Sequence, residues 1–83
     1  MNRGSWNRPV TFETTTLGMY RTITSAAEAA RVLLDDWPVG EGAAWAAAQE
    51  RCLAVLEGGA DPEEARQAFL LAAEEADVFV REA

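Results

Sequence analysis

The sequence has no histidine, no lysine and a single cysteine, Cys52. Without histidine it lacks the side chain most often used as a general base near neutral pH and as a ligand for transition metals. One cysteine cannot close an internal disulfide. Nor does any apolar run approach the roughly 20 residues that a membrane-crossing helix needs. The opening "MNRGSWNRPV" carries no apolar segment of signal-peptide length. These absences lead us to expect a cytoplasmic protein that is not an enzyme, takes no cofactor or metal and is not inserted in a membrane.

What is present suits one folded domain. Apolar residues make up 49% of the 83-residue chain and charged residues 25%, far from the composition of disordered segments. There are 14 acidic side chains against 7 basic ones, all arginine, and the net charge of −7 repels a phosphate backbone. Nucleic acid is therefore not an expected partner.

After a polar lead over residues 1–7, a single domain is expected over residues 8–83. "RPVTFET" alternates Val10 and Phe12 with Thr11 and Glu13, the two-residue period of a half-buried strand, and "YRTIT" repeats it. "TTLGM" between them holds Gly18, suited to a hairpin turn, so Val10, Phe12, Arg21 and Ile23 should share one face of an antiparallel pair. Two strands alone are marginal in water, and their apolar face needs a cover.

Three helices are expected to supply it. The first opens at "SAAE", where Ser25 and Glu28 have capping-box spacing, and its apolar stripe reads Ala29, Ala30, Leu33, Leu34 and Trp37. Arg31 can reach Glu28 and Asp35 on the wet side. Pro38 ends it. The second, over residues 42–57, turns Trp45, Ala48, Cys52, Val55 and Leu56 inward and is stopped by Gly58 and Gly59. "DPEE" opens the third with Asp61 as cap and Pro62 in its first turn; its stripe is Ala65, Phe69, Ala72, Ala73, Ala76 and Phe79 or Val80. The expected fold class is α+β: an antiparallel two-stranded hairpin packed against three helices, in the order β-β-α-α-α.

Few residues suggest chemistry. Cys52 lies on an apolar helical face and reads as a buried thiol. The acid pairs Asp35 with Asp36, Glu63 with Glu64 and Glu74 with Glu75 project about 100° apart on a helix, which suits solvated faces and caps better than catalysis. Gly40 and Gly42 in "PVGEG" have no preceding strand and no following lysine, so they read as helix punctuation rather than a phosphate loop. Trp37 and Trp45 read as plugs in the corner between the first two helices, while Trp6 either folds back or joins an aromatic surface. Arg21 and Arg66 border apolar faces. Each can lay its stem on apolar neighbours with its head in water, pair with a helix acid, or hold an anion.

The order of "RPVTF", "RTITSAAEAARVLLDDWP", "AQERCLAVLEG" and "ARQAFLLAAEEADV" resembles the Domain of Unknown Function 982 family, small proteins found mainly in alphaproteobacteria. The resemblance spans nearly the whole chain and implies a fold without implying an activity or ligand. The functional expectation is accordingly a non-catalytic module that binds a protein partner or itself as a homodimer, helped by the open edge of its sheet. Trp6, Arg21, Trp37 and Arg66 are the candidate surface. The alternative is a small anionic ligand held by Arg21 or Arg66 beside Trp37.

Overall fold

The structure, a computed structural model, describes residues 4–14, 16, 18–38 and 41–82. Strand β1 (Ser5–Glu13) pairs antiparallel with β2 (Tyr20–Ser25), with Val10 opposite Ile23 and Phe12 opposite Arg21. Val10, Phe12 and Ile23 are fully buried on the shared face, as the alternation requires. Thr11 and Thr22 meet on the opposite face through their hydroxyls at 2.9 Å. Gly18 adopts φ +80° in the turn, where its N–H donates to a Glu13 carboxylate oxygen at 3.1 Å. Thr15 and Leu17 of the same turn lie outside the described residues.

Helix α1 (Ala26–Asp35) begins at Ser25, whose hydroxyl accepts the Glu28 N–H at 3.2 Å. The return half of the expected box is shifted by one residue, since Glu28 accepts from the Thr24 N–H at 2.7 Å. Its buried stripe is Ala26, Ala29, Val32 and Leu33. Leu34, expected inside, is 70% exposed because the stripe turns inward one residue earlier, at Val32. Arg31 makes no ion pair among the described residues.

Helix α2 (Ala43–Leu56) buries Ala48, Cys52 and Val55, and beyond its cap Glu57 the chain turns at Gly58, whose φ of +86° suits the left-handed residue after a last turn. Helix α3 (Pro62–Glu75) opens with a complete capping box between Asp61 and Glu64 and buries Ala65, Arg66, Phe69, Ala72 and Ala73. Phe69 is the hub of the core. Its ring lies 5.2 Å from Trp37 and 6.0 Å from both Trp6 and Phe12.

The third helix stops sooner than its periodicity suggests. Its stripe was expected to reach Phe79 or Val80, yet α3 ends at Glu75 and Asp77 takes a left-handed φ of +57°. Aspartate tolerates that conformation better than most residues, and it breaks the helix without glycine. The chain then returns as β3 (Val80–Glu82), which pairs antiparallel with β1 through Phe12 opposite Val80 and Val10 opposite Glu82. The α+β architecture and the order β-β-α-α-α stand. Among the described residues the sheet has three strands in the order β2-β1-β3, so β1, expected at an edge of a hairpin, is central.

Candidate functional site

Arg66 sits one position after Ala65 on the buried face of α3, and its side chain is fully buried. An unpaired guanidinium there would be very costly. Its Nε donates to the Arg8 carbonyl at 3.0 Å, Nη1 to Glu63 Oε2 at 3.0 Å, and Nη2 to Glu82 Oε1. The head is therefore not in water; it ties α3 to β1 and to β3. The amide of Gln67, donating at 2.8 Å, and the Arg66 guanidinium hold the Glu63 carboxyl below its ordinary value.

Trp6 and Trp37 are buried at 7% and 9% exposure, both within the Phe69 cluster. Trp6 folds back because β1 begins at Ser5, ahead of the alternation visible from Arg8. Neither indole N–H finds an acceptor among the described residues. Trp45 does: it donates to the Leu33 carbonyl at 3.0 Å, one of the last-turn acceptors of α1, and so pins the corner between α1 and α2. Arg21 reaches Asp36 at 2.6 Å across half-exposed surface. The expected surface of Trp6, Arg21, Trp37 and Arg66 is not formed, since three of the four are core and the fourth is paired. Gly40, read as punctuation in the same corner, lies outside the described residues.

Cys52 is buried and burial pushes its thiol up to about 11, far from the thiolate that nucleophilic chemistry needs. Among the described residues no three Cys, Asp or Glu side chains are grouped to hold a metal ion. No helix of the described residues is long and apolar enough to cross a membrane.

Glu75 caps a helix other than its own. Gly42, the N-cap of α2, has no side chain to offer, and the Glu75 carboxylate takes its place, accepting the N–H groups of Ala44 and Trp45 at 3.1 Å each. The device holds the end of α3 against the start of α2.

The surface that remains lies beside β3. Leu71 and Phe79 are exposed at 59% and 55%, and with Leu70, Val78 and Val80 they line an open depression of about 400 Å³ between α3 and β3. Glu74 and Glu82 are its ionisable residues. A second depression of about 410 Å³ adjoins it across Gln67 and Leu71, rimmed by Arg51, Glu63 and Glu64. Met19, Tyr20, Leu34 and Leu53 are also exposed, but none lines either depression. Leu71 falls outside the apolar stripe of α3 and Phe79 continues that stripe by periodicity, so the sequence pattern marks neither as surface.

The architecture defines a small α+β domain with an apolar strip along one sheet edge. The chain belongs to the family described as Protein of unknown function (DUF982), which matches residues 8–80. Neither a curated protein nor a solved structure matches it significantly.

Proposed function

We propose that the protein is a non-catalytic binding module that receives a protein partner on the Leu71–Phe79 flank of β3. The observation carrying this reading is the apolar depression beside a sheet edge that no other strand of the described residues covers. Such an edge offers backbone hydrogen bonds, and an adjoining apolar depression offers places for side chains. Several other polar groups already have an internal use: Arg66 ties α3 to β1 and β3, Glu75 caps α2, and the Glu28 carboxylate accepts the Thr24 N–H just ahead of α1. A buried free thiol suits the reducing cytoplasm, which we take as its setting.

The anionic-ligand alternative finds less support. Arg66 has no free donor face toward solvent, and Arg21 is engaged by Asp36. The test is capture from the native host with the wild type and with a Leu71→Glu, Phe79→Glu double variant side by side. A partner identified with the wild type and lost with the equally stable variant supports the reading. Retention by both opposes it.

A further inference from the structure

We propose that the partner received beside β3 is a second copy of this chain, joined edge to edge in a two-fold antiparallel pair centred on Val80. The proposal rests on the protein-binding reading above and names the partner. The Glu13 N–H donates to the Phe79 carbonyl at 3.0 Å, so in this antiparallel register Phe79 and Arg81 turn their peptide groups to β1. Those of Val80 and Glu82 then face the open side. With Val80 opposite Val80, the N–H of each copy donates to the carbonyl of the other, the doubly bonded pair of an antiparallel ladder. The Val78 N–H is already spent on the Ala73 carbonyl at 2.8 Å, which confines the new ladder to this short stretch.

The side chains select this register. On either side of the central pair, Arg81 of one copy lies against Phe79 of the other in the close, non-hydrogen-bonded kind of cross-strand pair. Arg81 is exposed and makes no ion pair among the described residues, and Phe79 is 55% exposed. The edge thus carries both halves of a cation–π contact, and the two-fold forms that contact twice. Moving the centre one residue, to Arg81, sets the two Arg81 side chains against each other, where like charges are unfavourable. Val80 and Glu82 lie opposite Phe12 and Val10, so their side chains stay on the helix-covered face and Glu82 keeps its ion pairs with Arg66 and Arg8.

On the helix-covered face the same axis brings two apolar depressions together. Each lies between α3 and β3, lined in part by Leu70, Leu71 and Val80, so joining the β3 edges covers both at once. Charge works the other way. Each copy carries −7, and Glu74 lines the depression without a cationic partner among the described residues. Association should therefore tighten with salt, as the screening length falls to about 8 Å at physiological ionic strength. The opposite edge is less suited: at β2 the outward Thr24 N–H is taken by Glu28, and the adjoining depression, about 210 Å³, is lined by Arg21, Arg31, Glu28 and Ala27.

The experiment is light scattering of the full chain across a dilution series at low and at high salt, with NMR of a mixture of isotope-labelled and unlabelled copies. Dimers should form and tighten with salt, with contacts between the Phe79 ring of one copy and the Arg81 side chain of the other. Val80→Pro removes an N–H that faces the open edge and spares the bonds to β1, while Arg81→Glu keeps the strand and reverses the charge. Each should weaken dimerisation about tenfold or more. Because Arg81 is exposed, Arg81→Glu tests the pairing even where Val80→Pro lowers the melting temperature. A monomer at NMR concentration in high salt overturns the proposal, as does a dimer that Arg81→Glu leaves intact. Inter-copy contacts that run from Arg81 to Arg81, or that centre on Tyr20 to Thr22, overturn it too. A monomeric chain that still captures a different host protein through Leu71 and Phe79 overturns the second copy and leaves the protein-binding reading standing. Capture of a host protein that ignores both residues opposes that reading itself.

Discussion

Glu75 occupies the space that a side chain on Gly42 would need: a Cβ built on Gly42 comes within 2.7 Å of the Glu75 Cδ. One residue gives up its side chain so that another, from a different helix, can cap α2. Glu75→Ala should cost about 0.5–2 kcal/mol, the usual range for losing an N-cap. Gly42→Ala should cost at least as much, because it displaces the same carboxylate and also strains a backbone at φ +123°. The double variant should fall short of the sum of the two, since both remove one contact. Urea unfolding midpoints would measure all three.

Arg66 should be the most sensitive charged position. Arg66→Ala removes a buried stem and a three-way tie, for an expected loss of about 2–5 kcal/mol. A chain of this length has roughly 4–12 kcal/mol in total, so much of the stability would go. Arg66→Met should cost less, because it fills the space while Glu63 and Glu82, at 51% and 46% side-chain exposure, remain hydrated. Thermal melts of the two variants would rank them.

Acid should loosen the same cluster. Glu63 is held below its ordinary value in the folded protein, so its contribution is fully present above that ordinary value and fades as pH falls toward the lowered one. Melting temperature followed from about pH 6 to pH 2 should drop on the acid side, and Glu63→Gln should flatten that drop. A variant profile parallel to the wild type would contradict the assignment.

The thiol should be silent until the protein unfolds. With Cys52 buried and its pKa near 11, a disulfide reagent at neutral pH should react only as fast as the core opens. Urea should accelerate labelling in step with unfolding. Rapid stoichiometric labelling of the native protein would contradict this.

Local signals predicted most of the fold. Alternation placed Val10, Phe12 and Ile23 on one face, and caps at Ser25 and Asp61 located two helix starts. Such features depend on neighbours within a turn or two. What escaped depends on distant partners: β3 exists because Val80 meets Phe12 across the sheet, against a helical periodicity that carried on past Ala76. Glu75 and Arg66 likewise read as a solvated acid and a flanking cation, because the residues they bind lie 30 and 58 positions away. The candidate site suffered the same way. Burial removed Trp6, Trp37 and Arg66 from the surface, and a break in α3 exposed Phe79.

The Leu71 flank can be changed without harming the core. Because Leu71 is 59% exposed, Leu71→Glu should alter stability by no more than about 0.5 kcal/mol while weakening partner capture. Chemical denaturation beside a capture assay separates the two effects.

The most direct measurement is photo-crosslinking in the native host, with benzoylphenylalanine placed at position 71 in one strain and at position 34 in another, since both leucines are exposed. The account predicts a discrete protein adduct from position 71 and none from position 34. No adduct from position 71, or the same adduct from both, would contradict it.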